Sequence, residues 1–591
     1  MARRGSIRSP PSREIEIMTI NGDPARLGRP CYRHADPVPP GGTQCPRASR
    51  ARMTGRVQAA TVPLPVGPQP HIRGAAQRRS PGCERPLTAG AGGSRARWTG
   101  IAYASCLVAV LVLGGCAVGP DYAGPPAADL PARWHRATDQ TTATPPALAE
   151  WWRDLHDPLL DRLMAQAVDG NLDVASAKAK IRAARALRRE AIGGLLPTVE
   201  ETASATRQQT TTTSSVGAIT PVSNLFQAGF DASWEIDLFG AEARTVEAAS
   251  ANVEAARNDL DSTLLTLVGD VASTYVEARG YQARIALARR TAKSQRETAA
   301  LTRTKFDIGS ASAVDSSKAT AQAASTEANI PGLESSLSQA VHRLAILTGR
   351  EPGTLIGAMA KGGPIPSPRR GLPSGIPADV LANRPDIRAA ERRLAQYTAK
   401  VGAAEAALYP SVGLTGSVST SATRVGDLGK ASTIAWSWGP SVTIPIFEGG
   451  RLVAARDEAA AVRDQYFIAW RQSVLTALED VENALVSLAK ERSRSRSLAE
   501  AANQYRRAAT LSRTLYQSGS SSFLGVLDAE RSLYSAEDAL IQSRVAIATD
   551  HIALAKALGG GWTRALDTTK PEVSDTNTQP HLRPATAAID P

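Results

Sequence analysis

The sequence predicts a mainly helical protein that also carries membrane-type β-strands. Two proline-free stretches, 241–304 and 451–515, each run for about 64 residues, which at 1.5 Å per residue gives helices of about 95 Å. Such lengths exceed those of ordinary globular helices and are typical of coiled coils. A third stretch, 226–236, alternates strictly between apolar and polar residues, which is the period of a strand with one dry face. The fold must therefore combine long helices with amphipathic strands.

The charge of the chain is divided unevenly along its length. The whole chain carries a formal charge of +12, and residues 1–115 alone contain 17 Lys or Arg and 5 Asp or Glu. The rest of the chain is therefore balanced, with 51 basic and 51 acidic side chains. Because the basic excess lies outside the long helices and strands, it gives no support for nucleic acid as a partner.

Cysteine and histidine usage argues against an enzyme or a metal site. No cysteine follows Cys116, which excludes a disulfide framework or a cysteine metal site in the later chain. The seven histidines are scattered, and the sequence shows no HExxH spacing, phosphate-binding loop or nucleophile–base set. We therefore expect no catalysis, no metal and no diffusible cofactor.

The segment before Cys116 has the pattern of a processed export signal. Arg95 and Arg97 precede a short apolar run, 101–113, and the sequence then reads Leu-Gly-Gly-Cys. The run is too short to span a bilayer as a helix, whereas this order of basic, apolar and small residues is typical of signal peptides. The ending resembles a bacterial lipobox, which implies cleavage before Cys116 and acylation of that cysteine. A short buried helix with an incidental cysteine would also fit.

The position of this signal in the chain is unusual. A signal begins roughly 15–30 residues before its cut, but about 115 residues precede Cys116 here. Residues 1–94 are rich in Arg, Pro and Gly without periodicity. We expect translation to begin near Leu87. Ala117, rather than an aspartate, follows the cysteine, which by resemblance to enteric lipoproteins favours the outer membrane.

The chain repeats itself once. Gly309 and Gly519 end similar motifs, Phe-Asp-Ile-Gly and Tyr-Gln-Ser-Gly, about 210 residues apart, and Gly349 and Gly559 repeat that spacing. Each half therefore has the same predicted order. A helix is followed by a strand, a polar loop and a second strand, then by a very long helix, a glycine turn and another helix.

Four segments alternate as strands do, two in each half of the chain. They lie near 199–207, 226–237, 411–419 and 434–446. Strands of about ten residues with alternating faces, joined by polar loops, are typical of outer-membrane barrels. Because small barrels already need about eight strands, four strands cannot close around a pore. Several chains would have to pool them.

Several longer stretches together resemble TolC-like outer-membrane factors, of the NodT-type efflux lipoprotein branch of tripartite pumps. These stretches are CAVGPDY, WWRDLHDPLLDRLMAQAVDGNLDVASA, NRPDIRAAERRLAQYTAKVGAAEAALYPSVGLTG, PIFEGGRL, YQSGSSSFLGVLDAERSLYSAEDAL and ALGGGW. The resemblance extends from Cys116 to Trp562. It implies a mainly α-helical chain with a membrane β-barrel. Three chains would share a 12-stranded barrel, four strands each, on a long periplasmic α-helical barrel.

The resemblance also implies a function and partners. The protein would be the outer-membrane channel of a tripartite efflux system, a passive exit duct for drugs or other toxic small molecules. The chain would form a homotrimer embedded in outer-membrane lipid. Its protein partners would be a periplasmic adaptor protein and an inner-membrane transporter of the resistance-nodulation-division type. The same channel class also serves type I protein secretion, which stays an alternative. A lipid-anchored periplasmic coiled-coil scaffold would share the signal and the helices but has no use for lipid-facing strands.

The strand side chains then fall into two groups. We expect five aromatic residues to face lipid: Phe226, Phe230, Trp234, Trp436 and Trp438. Asp231 and Glu235, on the opposite face of the strand, would line a wet lumen. Asp237 suits either the lumen or a helix cap.

Two further sets of residues take their roles from the resemblance. The adaptor-docking tips would lie where the long helices reverse, at Phe306, Gly309, Tyr516 and Gly519. Glycine permits the positive φ of a helix end, so ordinary C-caps explain the two glycines equally well. Leu524 and Asp528 lie four residues apart on one helix face. They match the leucine and aspartate that narrow the closed periplasmic end in family members, although a plain amphipathic stripe would also place them there.

These predictions divide the chain into seven segments. In order, they are a non-native or disordered extension (1–86), a lipoprotein signal peptide (87–115), a lipidated N-terminal strap (116–150), a first repeat (151–349), an equatorial linker (350–382), a second repeat (383–562) and a disordered tail (563–591).

Overall fold

The structure is a computed structural model of the chain. It describes residues 117–124, 130–131, 134–135, 148–209, 212–214, 217–219, 221–368, 377–378, 384–561 and 565–571. Every described residue lies in the compact unit formed by residues 92–591. The predicted extension, the signal peptide, Cys116 and most of the predicted tail lie outside the described residues.

Helices make up most of the described chain. The helices are α1 (Pro158–Gly170), α2 (Leu172–Gly194), α3 (Ala241–Asp307), α4 (Ala313–Leu347), α5 (Ile356–Met359), α6 (Pro385–Ala406), α7 (Arg451–Gln517) and α8 (Phe523–Ala557). Short 3-10 turns lie at Trp151–Leu155 and Val425–Asp427. The strands are β1 (Thr198–Gln209), β2 (Thr212–Ser214), β3 (Gly217–Ile219), β4 (Val222–Ile236), β5 (Ser411–Ala422) and β6 (Ile434–Thr443).

The four long strands form one antiparallel sheet in the order β1-β4-β5-β6. The pairing of β4 with β5 joins the first half of the chain to the second. Within the described residues, β1 and β6 are edge strands with one unpaired side each. The four strands predicted from alternation are all present, and they lie side by side.

The structure corrects two details of the predicted strands. β6 ends at Thr443 rather than near residue 446, because Pro445 has no amide hydrogen to donate to a ladder. The polar loop between β1 and β4 contains the short β2–β3 hairpin, which the alternation analysis missed. Segments of three residues are too short to show a period of two.

The predicted long helices and the internal repeat are confirmed. α3 and α7 each contain 67 residues, and α4 and α8 each contain 35. At 1.5 Å per residue, each long helix measures about 100 Å. Each pair of helices forms a hairpin closed by a glycine turn, so the two halves of the chain share one helical plan.

The apolar residues of α7 explain how such a long helix is stabilised. Its buried residues include Trp470, Val474, Ala477, Val481, Ala484 and Leu488. Their spacing alternates between four and three residues, which is the seam of a coiled coil. The stability of α7 therefore comes from packing along this seam rather than from its isolated helical propensity.

The largest apolar core lies where α1, α2 and the turn Trp151–Leu155 meet α3, α4 and α8. Trp151 is buried there, and its indole Nε1 donates to the Gly560 carbonyl at 3.2 Å. No helix among the described residues has the length and apolar content needed to cross a bilayer. No group of metal-binding side chains is found in the same part of the chain.

Candidate functional site

The sheet has one apolar face, and the register aligns its side chains in rows. Phe230 lies opposite Val418, which in turn lies opposite Trp436. The next row along the strands places Trp438 beside Gly416. Because directly opposed residues of antiparallel strands point to the same side, these aromatic side chains share a face. The row pattern follows directly from the alternation in the sequence.

The predicted lipid-facing aromatics differ in their exposure. Trp436 and Trp438 are 70% and 74% exposed, and Phe230 is 56% exposed. Trp234 is less exposed, and its indole Nε1 donates to the Leu195 carbonyl at 3.0 Å. Phe226 is half-buried. Because Leu195 directly follows α2, this bond places Trp234 at the end of the sheet that is nearest the helices. An aromatic ring with a polar tip suits the boundary between an apolar and a wet environment.

The opposite face of the sheet carries the predicted lumen carboxylates. Asp231 lies between Glu200 on β1 and Ser417 on β5, and its Oδ2 accepts from the Thr202 hydroxyl at 3.3 Å. Glu235 lies opposite Gly413 and is exposed. Carboxylates and hydroxyls therefore cover this face, as the alternation predicted.

Two carboxylates show where alternation alone is insufficient. Glu201 lies opposite Phe230, so it shares the apolar face with the aromatic rows. Asp237 was compatible with two roles, and its Oδ2 accepts from the Ala243 amide at 2.7 Å. Asp237 therefore caps the start of α3.

Both helical hairpins reverse through the same hydrogen-bonded turn. Gly309 and Gly519 have φ of +81° and +78°. The amides of Gly309 and Ser310 donate to the Phe306 and Lys305 carbonyls, and the second hairpin repeats this pattern. This is the Schellman arrangement, in which glycine satisfies the last carbonyls of a helix. A Cβ at either glycine would meet no atom within 4 Å, so the turns are also open surfaces.

The structure corrects the assignment of Tyr516 to the adaptor-docking tip. Its side chain is buried and packs edge-on against Phe523, with ring centroids 5.9 Å apart. Its hydroxyl donates to the Thr302 hydroxyl at 3.2 Å, and Lys305 Nζ lies 4.8 Å from its ring centre. Tyr516 therefore joins the two hairpins beneath the tip. Phe306, at the equivalent place in the first hairpin, is half-buried, and Gly309 and Gly519 are exposed.

The predicted gate residues lie together on α8. Leu524 is 62% exposed, and Asp528, one turn later, is also exposed. Phe523, Val526 and Leu527 are buried on the other side of the helix. The side chains of Leu524 and Asp528 therefore lie outside the apolar core of this chain.

One contact set was missed by sequence reasoning. Residues 117–122, which we term the anchor segment, lie against the start of α3 and along α6. Val118 donates its amide to the Phe239 carbonyl at 3.1 Å, and the Tyr122 hydroxyl donates to Glu391 at 3.1 Å. Contacts between residues so far apart in sequence leave no periodic signal, and only the glycines at the meeting points hint at close approach.

The family comparison matches the two halves of the chain separately. The family described as outer membrane efflux protein matches residues 163–350 and 376–560. One matched segment therefore lies in each half of the internally repeated chain.

Curated relatives cover most of the chain. Nodulation protein T of Rhizobium leguminosarum bv. trifolii is 36% identical over 461 residues, which is 76% of this chain and 96% of the relative. The solvent efflux pump outer membrane protein SrpC of Pseudomonas putida is 31% identical over 464 residues, covering 77% and 97%.

Solved structures have the same fold. The outer-membrane channel OprN aligns with a TM-score of 0.71 at 36% identity, covering 76% of this chain and all of that one. The open state of the MtrE outer membrane channel of Neisseria gonorrhoeae aligns with a TM-score of 0.67 at 32% identity, covering 77% and 100%.

Proposed function

This chain belongs to the outer membrane efflux protein family, and we propose on this premise that it is the outer-membrane exit duct of a tripartite efflux system. The observation that carries the proposal is the joining of a four-stranded sheet with two open edges to a pair of helices about 100 Å long. A duct needs both parts, since the sheet can span the outer membrane and the helices can span the periplasm.

The open edges indicate how the duct is closed. An exposed edge presents unpaired amides and carbonyls, which cannot remain unpaired in a bilayer. Pairing of β1 of one chain with β6 of the next satisfies both edges, and three chains then give 12 strands.

The mass of the particle extracted from outer membranes in mild detergent tests this architecture. We expect a trimer that unfolds to monomers only on heating. Thr202→Pro, in the edge strand β1, should abolish the trimer, whereas Thr213→Pro, in the short β2–β3 hairpin, should retain it. A monomer in the soluble or inner-membrane fraction for the unmodified chain would contradict the shared barrel.

The cargo class and the partners follow from family membership. Relatives are named for the efflux of solvents, toluene and antibiotics and for pyoverdine export, which supports drugs or other toxic small molecules as cargo. The energy would come from an inner-membrane transporter of the resistance-nodulation-division type, reached through a periplasmic adaptor. Deleting the gene should raise susceptibility to a panel of such compounds. Unchanged susceptibility together with loss of a secreted protein would favour the alternative, type I secretion.

Leu524 and Asp528 are proposed to form the periplasmic gate. Both are exposed on one side of α8, so three symmetric copies would place three leucines and three carboxylates near the axis. A ring of carboxylates favours cations. Leu524→Ala with Asp528→Ala should increase leak conductance and the uptake of large antibiotics. The matched control is Val314→Ala with Lys318→Ala on α4, which should leave both unchanged. Equal leak in both pairs would remove the gate assignment.

The exposed turns are proposed to meet the adaptor. Phe306, Gly309 and Gly519 would contact the adaptor, whereas the buried Tyr516 would support the turn from the interior. Since a side chain at Gly519 would meet open space, Gly519→Trp should weaken crosslinking to the adaptor with only the small loss of stability that a positive φ imposes. An equal fractional loss of crosslinking and thermal stability would leave Gly519 as a helix cap only.

Acylation of Cys116 is proposed to attach the chain to the outer membrane. The support is the lipobox-like sequence before this residue and the docking of the residues that follow it. Mass spectrometry of the N-terminal peptide should give the mass of a triacylated cysteine. A free thiol on an N-terminus that begins before Cys116 would contradict the proposal.

A further inference from the structure

The anchor segment, residues 117–122, enters the body of the protein beside a single buried arginine. Arg244, on the first turn of α3, has a side chain that is 6% exposed. Its Nε donates to the Val118 carbonyl at 3.3 Å, and its Nη2 donates to the Gly119 carbonyl at 3.4 Å and to Asp121 Oδ1 at 2.6 Å. Its Nη1 is held by Glu247 at 2.8 Å. One guanidinium thus binds three residues of the anchor segment, Val118, Gly119 and Asp121.

Three glycines bring the surrounding backbones close enough for these contacts. A Cβ on Gly119 would lie 2.5 Å from the Gly402 Cα, and a Cβ on Gly402 would lie 2.9 Å from Arg244 Nε. A Cβ on Gly240 would lie 3.0 Å from the Ala117 Cα. Gly119 and Gly240 also have positive φ, +89° and +83°. Side chains at these positions would therefore push the anchor segment away from α3 and α6.

The far end of the anchor segment is fixed by a second helix. The Tyr122 hydroxyl donates to Glu391 on α6, and the guanidinium of Arg392 lies 5.7 Å from the centre of the Tyr122 ring. Burial, followed by the negative charge of Glu391, raises the pKa of Tyr122 above its ordinary value, so the hydroxyl remains a donor at any physiological pH. The segment is therefore held at both of its ends.

We propose that Arg244, with Gly240 and Gly402, forms a receptor slot that holds the anchor segment at the junction of β4 and α3. The junction is the place where the sheet passes into the long helix, and Val118 bonds to the Phe239 carbonyl there. The inference rests on the proposed acylation of Cys116, since it makes the slot the point at which a membrane anchor is coupled to the channel body. Arg244 thus positions the anchor segment for insertion of the chain into the outer membrane, in addition to its packing contacts.

Hydrogen exchange of peptides covering residues 117–122, in detergent-extracted trimers of the full chain, tests the slot itself. Arg244→Met keeps the aliphatic stem but removes every donor, and the Val118 amide should then exchange about tenfold faster or more, as expected when charge-assisted bonds are lost. Arg244→Lys should give a partial effect, because an ammonium keeps the charge but is a compact group without the planar, five-donor fork that reaches these acceptors from one side chain. Arg257→Met, an exposed change on the same helix, should exchange as the unmodified chain does.

A variant on the segment side separates a released slot from a damaged body. Asp121→Asn removes the negative charge from the shortest of the bonds to Arg244 without touching a helix, so the weakened bond should also speed exchange of Val118 while leaving the trimer intact. Unchanged exchange in both Arg244→Met and Asp121→Asn trimers would overturn the slot.

The coupling to the lipid is tested by combining Arg244→Met with Cys116→Ser and measuring the fraction of chains found as outer-membrane trimers. Arg244→Met alone should reduce this fraction several-fold, and it should have no further effect once Cys116 is replaced. Equal reductions in both backgrounds would make Arg244 a purely structural residue and overturn the proposal. An unacylated N-terminal peptide in the unmodified protein would instead remove the proposed lipid, while the exchange data would still report on the slot.

Discussion

The two helical hairpins have equal lengths but very different environments. In α3, 25 of 67 residues are buried, whereas in α7 only nine of 67 are buried. α3 packs against α1, α2, α4, α6 and α8, while α7 packs mainly against α6 and α8. The repeated sequence therefore provides one internal helix and one helix whose outer surface is left open.

The open surface of α7 is partly apolar. Ile468, Leu475, Leu511 and Leu515 are all about half exposed or more in the single chain. Ile468 and Leu475 lie two turns apart and Leu511 and Leu515 one turn apart, so they form two separate exposed apolar pairs, and grouped apolar side chains of this kind mark interaction sites. The first hairpin thus supports each chain from within, and the second provides the surface on which neighbouring chains of the duct can pack.

The largest expected effect comes from truncating one leucine on α3 and one leucine on α7. Leu264 on α3 is fully buried, whereas Leu475 on α7 is 54% exposed in the single chain. Leu264→Ala should lower the free energy of unfolding by about 2–5 kcal/mol, because it leaves a cavity in the core. Leu475→Ala should instead lower the temperature at which trimers separate into monomers, with little change in the helical content of the chain. Circular dichroism and heat-modifiability on gels measure the two effects.

The control for this pair is a polar exposed position on the same stretch of α7. Gln472→Ala should change neither the helical signal nor the trimer. If Leu475→Ala behaves like Gln472→Ala, the outer surface of α7 is solvated in the assembly and the division of roles between the hairpins is wrong.

A second difference between the repeats is a buried histidine. His551 on α8 is fully buried, its ring lies 6.5 Å from that of Trp151, and neither ring nitrogen has a partner among the described residues. The equivalent position in the first repeat, 210 residues earlier, is the buried Val341. The charged groups that act on the imidazole are Arg492 on α7 and Asp154 in the turn Trp151–Leu155. Burial first, and Arg492 next, lower the pKa of His551 to about 4.

This shift predicts a loss of stability in acid. The unfolded chain binds the proton near pH 6.5, while the folded chain resists it until about pH 4. Stability therefore falls as the pH drops through this window, by about 2 kcal/mol for each chain at pH 5. His551→Val, which copies the first repeat, should remove this part of the pH dependence. The thermal midpoint of trimers at pH 7.5 and pH 5 measures it, and an equal drop in both proteins would show that His551 is not responsible.

Patterns that can be read along the chain itself predicted most of the fold. The period of two predicted β4 and β5 within a few residues, and the two long proline-free stretches predicted α3 and α7. The repeat of about 210 residues placed Gly309 and Gly519 at equivalent turns. Each of these features can be recognised without knowing what the segment packs against.

Features that depend on distant contacts were missed or misassigned. Tyr516 was placed at the tip because it matches Phe306 in the repeat. In the structure, Lys305 donates to the Tyr516 carbonyl and the Tyr516 hydroxyl donates to Thr302, and both of these residues of α3 hold Tyr516 in the interior. Glu201 shares the apolar face because the pairing of β1 with β4 sets its side, and β1 has weak alternation. The slot around Arg244 joins residues about 120 positions apart and has no periodic pattern to reveal it.

The smallest expected effect concerns the first turns of α4 and α8. Ser312 and Asp315 form a reciprocal capping box on α4, in which the Asp315 amide donates to the Ser312 hydroxyl at 3.1 Å. On α8 the equivalent residues are Ser522 and Gly525, and the Ser522 side chain makes no capping bond. Ser312→Ala should therefore weaken the start of α4 by about 1 kcal/mol, whereas Ser522→Ala should have an effect of a few tenths at most. Hydrogen exchange of peptides from the two turns compares them.

The reverse change gives the sharper test. Gly525→Asp restores to α8 the carboxylate that Asp315 provides on α4, and a Cβ at Gly525 would meet no atom within 4 Å. A carboxylate at this position can accept from the Ser522 amide and interacts favourably with the helix N-terminus. Exchange in the first turn of α8 should then slow toward that of α4. Because this turn carries Leu524, leak through the proposed gate should fall in the same variant. Slower exchange with unchanged leak would show that the missing cap on α8 is unrelated to the gate.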